Sequence, residues 1–540
     1  VTPLSDVLAR NARPAMRALL VAAVLVLLIA GANCCMFLLG HAATRRKEIA
    51  VRQAFGATRA RVLRQLLTEL LALGFTGGVI AFAISGWLLT TMQKLLPVYH
   101  VQPSESLEAN AHTFVYSLLL CILLSLLAGL VPTLRCSSPA SLEVLKDYSG
   151  PLAGGGGPLL RRLMVVIEVS VAVVLVIGAI LSVRTFLNLI EADPGYRARQ
   201  VFAVQTAFPR SQFNDQRFLA QQREILNSVR GAPGVSSVAA ASALPTAGPN
   251  GGEWVRHGNA YKFCLTTLVV GDYFRALKIP LMTGRPFSEA DRDAVIISER
   301  AAREFWRGKS PVGDELRIDG EAAPRRVIGI VKDTRGISLN ETAQPQIYLP
   351  YDQPYRGKLS TLSMYVLARC GLGRANCASL LMQRVKSAGS GAAVDRVASL
   401  EELVETATAP VRARAALLAF YGLLGAALAW LGVYALVSYL AAVRNYEMGV
   451  RMTFGAQASD VVFLLSSEGV ICAGVGVLIG VAASYGAVRV LASLLFGVKP
   501  LDAASFAVAA FLLFTGAVLA CLVPALRVAR REPWEILQSR

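Results

Sequence analysis

Charged side chains and histidines are scarce in this chain, and both shortages limit what it can do. Charged residues make up 17% of the 540 residues, too few to cover the surface of a soluble protein of this length. The four histidines are far apart in the sequence, so we expect no metal centre built on them. They are His41, His100, His112 and His257.

Sequence motifs of nucleotide-binding and hydrolytic enzymes are also missing. No Gly-x-x-x-x-Gly-Lys-Ser/Thr segment occurs, so the chain has no P-loop with which to bind nucleotide phosphates. Neither Gly-x-Ser-x-Gly nor His-Glu-x-x-His is present. We therefore expect no catalytic residue, no metal and no cofactor in this chain, and we expect that it is not an enzyme.

Apolar residues and positive charge are abundant instead. Hydrophobic residues make up 54% of the chain, the mean hydropathy is +0.50 and the net charge is +18. So high an apolar content excludes intrinsic disorder, and it argues against a nucleic-acid-binding protein despite the positive charge. A membrane protein with basic cytoplasmic loops has this composition.

Seven long apolar runs predict membrane helices, because about 20 residues cross the ~30 Å hydrocarbon core of a bilayer. They cover residues 17–40, 66–93, 113–131, 163–187, 415–440, 463–491 and 504–526. The intervening segment 190–408 is of mixed polarity and predicts one folded domain. Its predicted strands are 201–208, 235–240, 294–298, 326–332, 345–350, 364–369 and 394–398, and its predicted helices are 212–229, 299–306, 378–388 and 400–408. The sequence thus predicts a polytopic α-helical membrane protein with about seven transmembrane helices and an inserted α+β domain.

Lysine and arginine are unevenly divided between alternate loops. Seventeen of them lie in the segments 41–64, 132–162, 441–462 and 527–540, against two in the loops 94–112 and 492–503. Because basic loops stay in the cytoplasm, we expect the C-terminus inside, and the N-terminus and the inserted domain outside.

The chain repeats itself at an offset of 399 residues. Residues 45–57 match residues 444–456 at this offset, and further on Leu-Val-Pro-x-Leu-Arg occurs at 130–135 and again at 522–527, at an offset of 392. In each copy a glutamate and an arginine are four residues apart, a spacing that favours an ion pair on one helical face. A glycine then ends the short helix. This segment is either a basic helix that holds anionic lipid or a helix that docks a cytoplasmic partner, and its recurrence favours docking. The candidate docking residues are Arg45, Arg46, Glu48, Ile49, Arg52 and Gly56 in the first copy and Arg444, Glu447, Met448, Arg451 and Gly455 in the second.

These motifs resemble the FtsX/MacB-like permeases of ABC transporters. Glu-Ile-x-x-Arg-x-x-x-Gly-Ala follows a span at 48–57, and Pro-Ala-x-Arg ends the last span at 524–527. The segments 193–196, 294–306, 310–313, 327–333 and 345–351 are similar to that family's periplasmic core domain. The tandem duplication further resembles a subgroup of duplicated permeases, whose members often lack an ATPase encoded beside them.

The resemblance implies a permease of the bacterial inner membrane that passes ATP-driven motion from a separate ABC-type ATPase to a periplasmic domain. The ATP is bound by that partner, and a substrate is exported or extracted at the periplasmic side. A non-transporting adaptor that regulates a cell-envelope enzyme is the alternative, and it implies a periplasmic partner protein. A membrane-bound enzyme is a further alternative, for which we find no set of catalytic residues.

The resemblance also implies a division of the chain and an incomplete N-terminus. We expect the end of a truncated periplasmic domain at 1–16, a three-helix FtsX-like domain at 17–145, a Gly-rich linker at 146–160 and the first span of the second copy at 161–189. A MacB-like periplasmic core domain at 190–410 and a second three-helix domain at 411–540 complete this division.

Two further expectations concern single side chains. Glu168 lies within the fourth predicted span, where an ionisable residue suggests either a proton relay or a structural acid. We favour the structural role, with the side chain reaching the cytoplasmic interface or a neighbouring helix. Cys370 and Cys377 would form a disulfide between a strand and a helix if their compartment is oxidising.

Overall fold

The structure is a computed structural model in which the chain forms two compact units. One unit contains residues 1–188 and 411–540 and is called here the membrane unit; the other, Leu189–Pro410, is the inserted domain. The structure describes residues 13–44, 58–95, 110–136, 157–207, 215–245, 251–288, 291, 293–321, 323–335, 343–351, 363–388, 393–491 and 494–530.

The described residues form twelve helices. The first four are α1 Arg13–Thr44, α2 Arg59–Leu95, α3 Ala111–Cys136 and α4 Gly157–Glu191. Four follow in the inserted part, namely α5 Asp215–Arg230, α6 Tyr273–Leu277, α7 Glu299–Trp306 and α8 Arg374–Ala388. The last four are α9 Leu400–Val443, α10 Asn445–Thr453, α11 Ala458–Leu491 and α12 Ala503–Ala529.

Seven of these helices are long and apolar enough to cross a membrane, and they confirm the seven predicted spans. They are α1 to α4, α9, α11 and α12. The chain is therefore a multi-pass membrane protein of mainly helical structure.

Glycines bring two of the spans close together. A Cβ at Gly476 on α11 would lie 2.8 Å from Val169 Cβ on α4. Ser170 Oγ, also on α4, donates a hydrogen bond of 2.9 Å to the carbonyl oxygen of Gly476. Small residues allow such backbone approach between membrane helices, where dispersion and hydrogen bonds hold the helices together.

The described residues of the inserted domain form eleven strands in one sheet. They are β1 Val201–Ala207, β2 Val235–Ala241, β3 Gly252–His257, β4 Ala260–Gly271, β5 Leu281–Gly284, β6 Ala294–Ser298, β7 Glu315–Ile318, β8 Arg325–Val331, β9 Gln346–Pro350, β10 Ser363–Cys370 and β11 Ala393–Ser399. The strand order is β11-β1-β10-β2-β4-β3-β7-β8-β6-β9, with β5 paired to β8. Most neighbours are antiparallel, but β6 with β8 and β4 with β9 are parallel. Helices and a mixed sheet confirm the predicted α+β domain.

All seven predicted strands are confirmed, whereas β3, β4, β5 and β7 were not predicted. A second difference concerns α9. The helix predicted at 400–408 and the span predicted at 415–440 are one helix, with Pro410 inside it. Proline removes a single backbone hydrogen bond, and the helix continues through it because the residues on both sides favour a helix.

Candidate functional site

The repeated segment of the second copy forms the short helix α10 between α9 and α11. Arg444 precedes its first residue and Phe454 follows its last one. Gly455 has a φ of +97°, a left-handed conformation that glycine adopts without steric cost and that ends the helix. The chain then enters α11 at Ala458, so α10 joins the ends of two spans.

One face of α10 is fixed by apolar packing against three spans. Met448 is completely buried and belongs to a cluster that joins α10 to α9, α11 and α12. Its other buried members are Ala441, Val461, Leu465, Ala525, Val528 and Ala529. Burial of a side chain of this size stabilises by roughly 1.5–3 kcal/mol, so displacing α10 from these spans is costly.

The opposite surface of α10 is polar and exposed. Arg451 Nη2 donates to Glu447 Oε1 at 2.6 Å, and both side chains are about half exposed. Phe454 is 88% exposed at the end of the helix. Met448 and Phe454 therefore have different environments, because Met448 is buried against the spans and Phe454 is exposed.

A charge cluster holds the beginning of α10. Arg444 Nη2 lies 3.3 Å from Glu468 Oε1 on α11, and Arg162 Nη2 on α4 lies 3.0 Å from the same oxygen. The sequence had pointed to Arg444 but not to Glu468 or Arg162. A signal was present, since Glu468 occupies the same position of the repeat as Glu69.

The candidate residues of the first copy lie outside the described residues. These are Arg45, Arg46, Glu48, Ile49, Arg52 and Gly56. Docking by the first copy stays a prediction. Glu69 on α2 occupies the position of the repeat that Glu468 occupies on α11. Its carboxylate accepts a hydrogen bond of 3.3 Å from Gln65.

Glu168 and the paired cysteines are both in the described part of the chain. Glu168 is completely buried within the membrane unit, where it faces the neighbouring helix α9. Cys370 ends β10 and Cys377 lies on α8, and the structure joins them by a disulfide with Cα atoms 6.2 Å apart. Among the described residues, no group of three or more His, Cys, Asp and Glu side chains is arranged to hold a metal ion.

Comparison with known families gives matches over most of the chain. Residues 20–139 and 419–533 match the family described as FtsX-like permease C-terminal. Residues 163–398 match the family described as MacB-like periplasmic core domain. The first family thus matches twice, on α1 to α3 and on α9 to α12, which agrees with the internal repeat.

Individual relatives are similar at low identity. The macrolide export ATP-binding/permease protein MacB of Psychrobacter arcticus is 25% identical over 341 residues, which are 61% of this chain and 49% of that protein. MacB of Chromobacterium violaceum is 27% identical over 40% of this chain and 34% of its own length. The uncharacterized ABC transporter permease YvrN of Bacillus subtilis is 24% identical over 49% of this chain and 68% of its own. The chain therefore spans about a third to a half of these MacB relatives.

A solved structure is also similar to part of the chain. It is the periplasmic region of MacB from Actinobacillus actinomycetemcomitans, with 17% identity and a TM-score of 0.29. The match covers 41% of this chain and 97% of that structure.

Proposed function

The chain belongs to the FtsX-like permeases with a MacB-like periplasmic core domain, and from this premise we propose that it transmits motion from a separate ATPase. It is an ABC transporter permease of this type, and its 540 residues contain no P-loop motif. In the proposed mechanism ATP is bound and hydrolysed by a partner, and α10 is the element of this chain that the partner moves.

The attachment of α10 is the observation that carries the proposal. Its inner face is held by the buried Met448 and by the ion pair between Arg444 and Glu468. Its outer face presents the Glu447–Arg451 pair and Phe454. Because one side of α10 is packed against three spans and the other is exposed, a partner that displaces the exposed side moves the spans together with α10.

The spans that receive this motion are long single helices. α9 ends at Val443, next to α10, and continues back to Leu400 without interruption. A displacement applied at Val443 is therefore carried along the whole helix. We propose that the corresponding segment of the first copy, from Arg45 to Gly56, docks the second ATPase of a pair in the same way.

The uneven distribution of lysine and arginine supports an orientation for this mechanism. Seventeen basic residues in alternate segments against two in the others support the proposal that α10 and the C-terminus lie on the cytoplasmic side of a bacterial inner membrane. The inserted domain is then periplasmic. We propose that its movement exports or extracts a substrate on that side, as the names of the MacB relatives suggest for those proteins.

A non-transporting adaptor would use the same relay to regulate a cell-envelope enzyme. One face of the inserted domain suits a protein partner, since Trp254, Tyr261 and Phe263 on the β3–β4 hairpin are each between 44% and 46% exposed. Capture experiments with Trp254→Ala and Phe263→Ala distinguish the two roles. An adaptor loses an envelope enzyme from its bound proteins, whereas an exporter loses transport without losing an enzyme.

Docking is tested by exchanging the charges on α10. In the double variant Glu447→Arg/Arg451→Glu the intrahelical pair is kept, but the charges presented to a partner are reversed. The tagged full chain is purified from its own host, and bound proteins that carry a P-loop are identified by mass spectrometry. We expect the P-loop ATPase to be lost while the yield of the chain is unchanged, and undiminished capture would contradict the proposal. Arg256→Glu, a charge reversal at an exposed residue of the inserted domain, is the control.

A further inference from the structure

The membrane unit contains a buried carboxyl group to which no described residue forms a hydrogen bond. Glu168 lies in the N-terminal third of α4 and its side chain is completely buried. Neither of its carboxyl oxygens has a hydrogen-bond partner among the residues that the structure describes. A buried and unpaired carboxylate costs many kcal/mol, so a group in this position is either neutralised or supplied with a bound cation.

Two other helices approach Glu168 closely. A Cβ atom added to Gly432 on α9 would overlap Glu168 Oε2. The position of that Cβ is also only 3.0 Å from Asn33 Oδ1 on α1. Asn33 Nδ2 donates a hydrogen bond of 2.9 Å to the carbonyl oxygen of Leu428. That bond fixes the amide orientation, because a carbonyl oxygen accepts only from the NH₂ group. The oxygen of Asn33 is therefore the atom turned towards the carboxyl group.

Two acceptor oxygens thus lie against Gly432, and within the described part of the chain the carboxyl oxygens receive no hydrogen bond. Two acceptors repel unless a hydrogen atom is shared, and a protonated carboxyl group supplies one. Glycine at position 432 is what permits this approach, since any other residue there would displace the carboxyl group.

The nearest charged groups on the packed helices are engaged elsewhere. On α4, the guanidinium carbon of Arg161 lies 3.5 Å above the ring of Tyr439, and Arg162 pairs with Glu468 on α11. Arg444, beyond the end of α9, pairs with the same carboxylate. Arg414, near the other end of α9, donates to the carbonyl oxygen of Leu494. The basic residues of α1 whose side chains are described, Arg13 and Arg17, are more than four helical turns from Asn33.

We propose that Glu168 is a proton-binding site within the membrane unit. With α1, α4 and α9 packed as described, the carboxyl group is protonated and donates its O–H to Asn33 Oδ1. When the helices separate and water enters, the group loses its proton to that water. Asn33 belongs to the first copy of the repeat, and Glu168 and Gly432 belong to the second. The bound proton therefore stabilises the contact between the two copies, and proton binding and helix separation are thermodynamically linked.

The protonation state is measured by infrared spectroscopy of the purified full chain in lipid nanodiscs. We expect a carbonyl-stretch band of a protonated carboxylic acid at neutral pH that shifts in D₂O. Glu168→Gln should remove the band and Glu468→Gln should leave it. Identical spectra of the wild type and Glu168→Gln at neutral pH would overturn the proposal. This measurement needs no ATPase, so its outcome is independent of the docking proposal.

A second variant tests the hydrogen-bond acceptor Asn33 and keeps the carboxyl group of Glu168. Asn33→Leu takes away the acceptor, so the band should persist and move to higher frequency, and an unmoved band would overturn the assigned hydrogen bond. The thermal midpoint should also fall more steeply with rising pH in the wild type than in Glu168→Gln, because unfolding releases the proton. Equal slopes, or a midpoint that rises with sodium concentration only when Glu168 is present, would instead indicate an ionised group and contradict proton binding.

Discussion

Arg444 and Glu468 form an ion pair, with Nη2 3.3 Å from Oε1, and this contact joins the beginning of α10 to α11. Arg162 on α4 reaches the same oxygen at 3.0 Å. One carboxylate therefore connects three elements of the membrane unit at the position where we expect the ATPase to act. The contact sets the orientation of α10 as well as stabilising it.

Removing the charge of Glu468 should weaken this connection. Glu468→Gln keeps the shape of the side chain but leaves two guanidinium groups without a counter-charge. We expect the free energy of unfolding to fall by about 1–2 kcal/mol. This is at the low end of what hydrogen bonds to charged groups contribute, because Arg162 is partly exposed. Thermal unfolding in detergent measures the change. Glu447→Gln, which breaks only an exposed pair, is the matched control and should change stability by about 0.5 kcal/mol or less; equal losses for both variants would contradict the assigned role.

A buried ion pair in the inserted domain should be more sensitive. Arg325 is only 2% exposed and binds Glu321 through two hydrogen bonds, of 2.7 Å from Nε and 2.8 Å from Nη2. Glu321→Gln leaves a buried guanidinium without its counter-charge, which costs about 3–5 kcal/mol. We expect a lower denaturation midpoint and easier proteolysis of the domain. If the free energy of unfolding of Glu321→Gln is within about 1 kcal/mol of the wild-type value, the pair is not buried as described.

The disulfide between Cys370 and Cys377 makes a chemical prediction. Both cysteines are buried in the domain core, and the bond closes a loop over a sequence separation of seven residues. Alkylation before and after reduction should differ by two added groups, as measured by intact mass. In the double variant Cys370→Ala/Cys377→Ala the free energy of unfolding should fall by about 2 kcal/mol. This is at the low end of what disulfides contribute, because the loop is short. Full alkylation of both thiols without reductant would contradict the pairing.

Acid should destabilise the inserted domain partly through Asp291. The Arg285 guanidinium, which binds this carboxylate at 2.5 and 2.8 Å, lowers the pKa of Asp291 below its ordinary value. A carboxyl group whose pKa is lowered by folding contributes stability above the ordinary pKa of about 3.9, and loses it as pH falls through the folded value. In Asp291→Asn the unfolding midpoint should therefore fall less steeply as the pH is lowered than it does in the wild type. Arg285→Gln should have the same effect, and an unchanged steepness in both variants would contradict this cause.

Much of the fold follows from the sequence because its signals are long or repeated. The spans are apolar runs of sufficient length, and strands such as β6 and β8 are rich in valine and isoleucine. The β3–β4 hairpin was missed although Gly258 and Asn259 mark a two-residue turn between its strands. Its aromatic side chains are the exposed ones, so the apolar pattern did not indicate a buried face.

The rotation of helices could not be predicted from the sequence. α4 is apolar on all sides, so no periodic face indicates that Glu168 turns towards α9. The apolar residues of the repeated segment show the same limit, since Met448 and Met452 pack on the spans whereas Phe454, which follows α10, is exposed. In both places tertiary contacts, not local periodicity, determine which way a side chain points.

The central claim is that the exposed end of α10 contacts an ATPase. A photo-reactive amino acid in place of Phe454 tests it in the living host, and the same substitution at Phe463 is the control because that residue is 75% exposed on a membrane span. We expect a crosslink to a P-loop protein from position 454 and none to that protein from position 463. Crosslinking of position 454 only to lipid, or equal crosslinking from both positions, would contradict the account.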